Sequence, residues 1–147
     1  GYIYSITNRH RLAEFEFSRL LEDGYESAKV YSALAFVVFK QKKIAPSIVQ
    51  LEKALQIDPE NPNALNSLGF IMAENDIQLE EAIRYCQRAL RQRPRNPAYL
   101  DSLGWACFKA GRIDDARLYL RKALEMAPGN PEIAEHLRRA SLSGGGR

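Results

Sequence analysis

Histidine and cysteine are scarce in this chain of 147 residues, two of each, and the members of each pair are far apart. Cys86 and Cys107 lack the paired short spacings of a zinc site or a redox motif, so both read as buried thiols, with a disulfide as the lesser alternative. His10 and His136 stand near opposite ends, neither with a carboxylate or a Cys at ligand spacing, and Gly-rich phosphate loops are absent. Without converging groups of this kind, neither catalysis nor a cofactor or metal is expected. Long apolar runs are missing too. The longest, Ala33 to Phe39, is about a third of the roughly 20 residues a membrane helix needs, so this segment is not expected to enter a bilayer. Blocks of one charge are lacking as well: 21 Lys and Arg against 18 Asp and Glu leave +3, spread along the chain, and nothing demands a polyanion. There is no initiator Met and no signal-like segment, and the numbering opens on Gly1, which leaves the compartment open between the cytoplasm and an envelope-anchored or periplasmic parent.

What is present is ordinary globular composition, 46% apolar and 27% charged, organised as a repeat. Asn61-Pro62-Asn63-Ala64-Leu65-Asn66-Ser67-Leu68-Gly69-Phe70 aligns with Asn96-Pro97-Ala98-Tyr99-Leu100-Asp101-Ser102-Leu103-Gly104-Trp105 at an offset of 35. The second halves follow at an offset of 34, with Ala82, Ala89-Leu90 and Pro94 falling on Ala116, Ala123-Leu124 and Pro128. One extra residue therefore sits in the turn at Asn75-Asp76-Ile77. An earlier unit has its first helix from Ala28 to Gln41 and closes on Ala54-Leu55, Asp58-Pro59 and Asn61, with Ala35 in the Gly column and Ser47 in the Ala column. Pro46 falls in the first turn of that unit's second helix, where its missing N–H has no partner to lose.

Each unit carries its own start signal. Asn61, Asn96 and Asn130 are placed to cap a helix, and Pro62, Pro97 and Pro131 take the first helical position with a preset φ. Leu65, Leu68 and Met72, and likewise Leu100, Leu103 and Cys107, recur at three- and four-residue spacing and predict the buried face. Gly69 and Gly104 each cost about 1 kcal/mol in a helix relative to Ala, which predicts a tight crossing against Ala82 and Ala116. Glu80-Glu81 and Asp114-Asp115 begin second helices, where acidic residues favour the positive end of the dipole.

This pattern resembles the tetratricopeptide repeat over residues 1–130, with Leu-Gly plus an aromatic in the first helix, small Ala columns in the second, and a closing Pro. The resemblance implies an all-α fold, a right-handed superhelical solenoid of antiparallel helix pairs, in one domain over residues 1–142. The units run 25–60, 61–95 and 96–129. A partial unit over 1–24 begins inside a helix, on the frame that sets Gly1, Tyr4, Ala13 and Phe17 in the columns of Gly69, Met72, Ala82 and Cys86, as if its hairpin were severed. A capping helix is expected over 130–142, with Ile133, Ala134 and Leu137 facing inward and Arg138 and Arg139 outward, and then a flexible tail over 143–147. The Tyr99–Trp105 sequence, the extended turn after Ala73-Glu74 and the Pro131–Leu137 ending are similar to bacterial multi-repeat proteins, several of them envelope-anchored adaptors, which implies a fragment of a longer bacterial protein.

By the same resemblance the first helices line a concave groove that binds a protein or peptide ligand. Its expected contact residues are Phe36, Lys40, Asn63, Asn66, Ser67, Phe70, Glu74, Asp101, Ser102, Trp105 and Lys109, with Trp105 foremost. Phe36 and Phe70 serve equally well for packing one repeat on the next. The family's best-known sites grip a C-terminal carboxylate with Lys, Asn and Arg, whereas Ser32, Phe36, Ser67, Ala98 and Ser102 stand in those columns, so no such clamp is expected. Two rivals are weighed. Arg84, Arg88, Arg91, Arg93 and Arg95 could serve nucleic acid, but a solvated outer face is the stronger reading. Tyr2, Ile3, Tyr4 and Ile6, short of neighbours, predict a homodimer through the N-terminal end.

Overall fold

A computed structural model describes the backbone of residues 2–145 and the side chains of residues 6–143. Among the described residues all regular structure is helical: α1 (Tyr2–Glu22), α2 (Ala28–Lys40), α3 (Ile44–Ile57), α4 (Pro62–Glu74), α5 (Leu79–Gln92), α6 (Pro97–Lys109), α7 (Ile113–Met126) and α8 (Pro131–Gly145). The packing falls into two compact units, Gly1–Ala64 and Leu65–Arg147.

The start signals act as the sequence predicts. Asn61 Oδ1 accepts the Ala64 N–H at 3.0 Å, Asn96 Oδ1 that of Tyr99 at 3.1 Å, and Asn130 Oδ1 that of Ile133 at 3.0 Å. Pro62, Pro97 and Pro131 are the first residues of α4, α6 and α8, positions where a helix leaves its N–H groups unpaired. Ser27 Oγ does the same work for α2, accepting from Val30 N at 3.1 Å.

The turns inside the hairpins share one device, a residue of positive φ: Lys42 at 64°, Asp76 at 56° and Gly111 at 83°. A backbone bond back to the preceding helix follows each, Lys43 N to Val38 O at 3.0 Å, Ile77 N to Met72 O at 2.8 Å and Arg112 N to Cys107 O at 2.8 Å. The turn between α4 and α5 holds one residue more, Gln78 at φ 41°, which accounts for the break in the repeat spacing.

In the second unit Leu65, Leu68 and Met72 of α4, Leu100, Leu103 and Cys107 of α6, and Ala82, Cys86, Ala116, Leu120 and Ala123 of the second helices are all buried. The small columns permit this closeness. A Cβ on Gly69 would lie 2.8 Å from the Ala82 carbonyl oxygen and 2.6 Å from Cys86 Sγ, and one on Gly104 would lie 2.7 Å from Leu120 Cγ and 3.3 Å from the Ala116 oxygen. Cys86 and Cys107 are free thiols within this core. In the first unit Tyr31, Leu34, Ala35 and Val38 of α2 meet Leu51 and Ala54 of α3, all buried. Ser47 fills the small column there and satisfies its hydroxyl by donating to the Ile44 carbonyl at 2.6 Å.

Three expectations are corrected. The N-terminal partial hairpin is absent: α1 is one continuous helix, and none of Thr7-Asn8-Arg9-His10-Arg11 takes the positive φ that each hairpin turn uses. Glu14 on this helix instead reaches the α2–α3 turn, pairing with Lys43 at 3.2 Å and accepting from Gln41 Nε2 at 3.3 Å. In α8 the inward set is Ile133, His136 and Ala140, with Leu137 partly covered and Ala134 exposed, a register set by packing on α6 and α7. Finally, α8 continues through Ser143, Gly144 and Gly145, since extending a formed helix is far cheaper than starting one. The last two positions of the expected tail, 146 and 147, lie outside the described residues.

Candidate functional site

Within the first unit, Phe36 is 57% exposed on α2, with the Lys40 ammonium 5.4 Å from its ring centroid. One turn back on that face Ser32 Oγ is shielded from solvent without a hydrogen-bond partner. Of the residues expected to drive dimerisation, Ile6 is partly buried, and the side chains of Tyr2, Ile3 and Tyr4 lie outside the described residues. Among the described residues of α1, Leu12 and Phe15 are each 59% accessible and Leu20 is 38% accessible.

Asn63, in the first turn of α4, is exposed; within the second unit α4 presents exposed Glu74 and partly exposed Asn66, Ser67 and Phe70. Asn66 stands in the repeat column of Ser32, and its Oδ1 is also buried without a partner. The equivalent face of α6 is not open. Asp101, Ser102 and Trp105, expected as groove contacts, are buried, and α8 lies against Asp101 and Trp105. His136 stacks on the Trp105 indole with ring centroids 4.2 Å apart, and the Arg139 guanidinium sits 4.9 Å from the same ring. Phe108 stacks on it as well, at 5.1 Å. Trp105 is therefore a packing residue between first helices, and a ligand cannot reach it while α8 is docked. Lys109 is committed too, pairing with Asp76 at 3.3 Å.

The histidine that sequence spacing leaves isolated has a carboxylate after all. His136 Nδ1 and Asp101 Oδ1 are 2.7 Å apart, with both residues buried. Burial by itself disfavours the charged ring. The hydrogen bond and charge of Asp101, with the Glu132 and Glu74 carboxylates, outweigh it and raise the His136 pKa above its ordinary value. Search by ligand spacing misses the pair because 35 residues separate its members, but that separation is one repeat, which sets neighbouring first helices side by side.

Burial disfavours the thiolate form of both cysteines. Burial pushes Cys86 far up, and pushes Cys107 up to about 11. Among the arginines weighed for nucleic acid, Arg84 is tied to Glu81 at 2.9 Å and Arg88 lies 6.0 Å from the Tyr85 ring centroid. Among the described residues no helix is long and apolar enough to cross a membrane.

Capped helix pairs with small-residue crossings define a helical-repeat protein. Comparison with known proteins gives the family. Models of the tetratricopeptide repeat match residues 78–131 and residues 37–76, together more than half of the chain. The chain belongs to the tetratricopeptide-repeat family. It is similar to a TPR repeat-containing protein of Pseudomonas aeruginosa, 38% identical over 94 residues, or 61% of this chain and 16% of that protein's length. Among solved structures it is similar to the first tetratricopeptide domain of Spaghetti (RPAP3) bound to an HSP90 peptide, with a TM-score of 0.71 and 23% identity, covering 79% of this chain and 91% of that one. It is also similar to YrrB, described as having an unusual peptide-binding site, with a TM-score of 0.74 and 20% identity over 92% of this chain and 69% of that one.

Proposed function

We propose that the chain is a protein-interaction scaffold that holds an extended peptide or a partner helix on the open face of its first helices, without a clamp for a terminal carboxylate. The observation that carries this reading is Asn66, whose Oδ1 is shielded from water yet unpartnered. A buried acceptor left unsatisfied costs about 1–3 kcal/mol, and rotation of the partly exposed Asn66 side chain towards a backbone N–H of a ligand laid along α4 relieves that cost. Phe70, one turn further on and half-buried, adds an apolar contact, with exposed Glu74 beyond it. Ser32, Phe36 and Lys40 repeat the arrangement on α2 of the first unit. Peptide binding by the Spaghetti domain, which has the same fold, supports this reading.

The contact set is narrower than the sequence frame suggests, since Asp101, Ser102 and Trp105 are buried. A screen of the whole chain against displayed random peptides tests the reading. Recovered peptides should bind about tenfold more weakly to an Asn66→Ala, Phe70→Ala double variant, and C-terminal amidation should change affinity by less than about twofold. Equal affinity for the variant rejects the face. A strong loss on amidation rejects the absence of a clamp.

A further inference from the structure

On the second-helix side of the second unit, α5 and α7 leave a crevice of about 510 Å³ lined by Gln87, Leu90, Arg91, Pro94, Leu103 and Tyr119. That volume lies in the range of ordinary ligand pockets, roughly 300–1,000 Å³. Leu103 is fully buried, Leu90 and Tyr119 are half-buried, and Arg91 is exposed. No carboxylate lines the space. Among the described residues, the side chains of Gln87, Arg91 and Tyr119 make no hydrogen bond or ion pair with the rest of the chain. Burial keeps the Tyr119 phenol neutral, hence a donor.

We infer that this crevice is a second docking surface, for an acidic linear segment that inserts one large apolar side chain beside Leu90, Pro94 and Tyr119 and sets a flanking carboxylate on Arg91. Charge complementarity selects the occupant. Arg91 in the last turn of α5 offsets the negative end of the helix dipole, and Arg93 and Arg95, which follow at once, add positive charge beyond that need. A planar guanidinium with no partner is suited to a carboxylate held by two parallel hydrogen bonds. A nucleic-acid strand fits less well. Such strands need a track of free cations with aromatic faces for stacking, whereas Arg84 is tied to Glu81, Arg88 lies against Tyr85, and Tyr119 is half-buried.

The test uses the whole chain and four labelled probes: a synthetic peptide with one Leu flanked by Asp and Glu, the same peptide with Ser for Leu, a Lys-flanked version, and oligouridylate. Fluorescence anisotropy should show saturable binding of the acidic Leu peptide only. Arg91→Glu should weaken it about tenfold and Arg91→Lys by about threefold or less. The Asn66→Ala, Phe70→Ala variant should leave it unchanged, which separates this site from the first-helix face. Amide shifts at Leu90, Leu103 and Tyr119 should report the contact. The inference is overturned by no saturable binding, by preference for the Ser or Lys peptide or for oligouridylate, by indifference to Arg91→Glu, or by loss in the Asn66, Phe70 variant.

Discussion

His136 of α8 donates its Nδ1 proton to Asp101 Oδ1 of α6 across 2.7 Å, with the imidazole resting on the Trp105 indole. This contact fixes a pH dependence. The folded chain holds the His136 proton more tightly than the unfolded chain does, since its pKa is raised. The stabilisation is therefore complete below the unfolded value of about 6.5 and is lost as pH rises through the folded value. Urea midpoints should fall from pH 6 towards pH 8 in the native chain. In Asp101→Asn this fall should flatten. Removing the ring in His136→Ala leaves the Asp101 carboxylate covered and unpaired, at a cost of about 2 kcal/mol.

The Gly69 crossing should tolerate substitution worse than its repeat-mate. A Cβ on Gly69 meets the Ala82 carbonyl oxygen at 2.8 Å, a backbone atom that cannot rotate away, whereas one on Gly104 meets chiefly the Leu120 side chain. Each glycine also costs about 1 kcal/mol in a helix relative to Ala, so relief of that cost competes with the clash. Gly69→Ala is expected to lose about 1–3 kcal/mol in chemical denaturation, and Gly104→Ala clearly less. Gly129→Ala, with nothing within 4 Å, serves as the neutral control.

What sequence could tell follows from how far each signal reaches. Asn–Pro starts, Gly–Ala crossings and the extra turn residue act within one hairpin, so the Asn96 cap and the presence of one added residue near Asn75-Asp76-Ile77 were legible from spacing alone, whereas its place at Gln78 shows only in the backbone. The face of Trp105 was not, because its exposure depends on whether another first helix lies alongside, and α8 does. The continuity of α1 was hidden for a related reason. Ala13 and Phe17 fit the second-helix columns, but column fit says nothing about whether a turn precedes them. Asn8, between Thr7 and Arg11, is a residue type that tolerates positive φ, yet it stays helical, so the continuity of α1 shows in the backbone and not in the sequence.

Thiol chemistry should report the same packing. With Cys107 pushed up to about 11 and Cys86 higher still, labelling by a disulfide reagent at pH 8 should run about 100-fold slower than for a free thiol. In urea both thiols should react at the ordinary rate. Fast labelling of the native chain at either position contradicts the burial described for α5 and α6.

Trp105 is the only tryptophan, so its emission reads the docking of α8 directly. The start of α8 depends on Asn130, whose Oδ1 accepts the Ile133 N–H at 3.0 Å, and Ile133 in turn packs with Leu100 and Ala123. Asn130→Ala should remove about 1 kcal/mol from α8, raising the undocked population about fivefold. Acrylamide quenching of Trp105 should increase and its emission shift to the red, while far-ultraviolet helicity falls only slightly. Asn130→Ser, which keeps an oxygen cap, should stay near the native values. The corresponding Asn96→Ala variant weakens α6 itself, so there the spectral shift and the loss of helicity should coincide. Coincidence of the two signals in Asn130→Ala as well would mean that α8 does not open separately from the repeats beneath it.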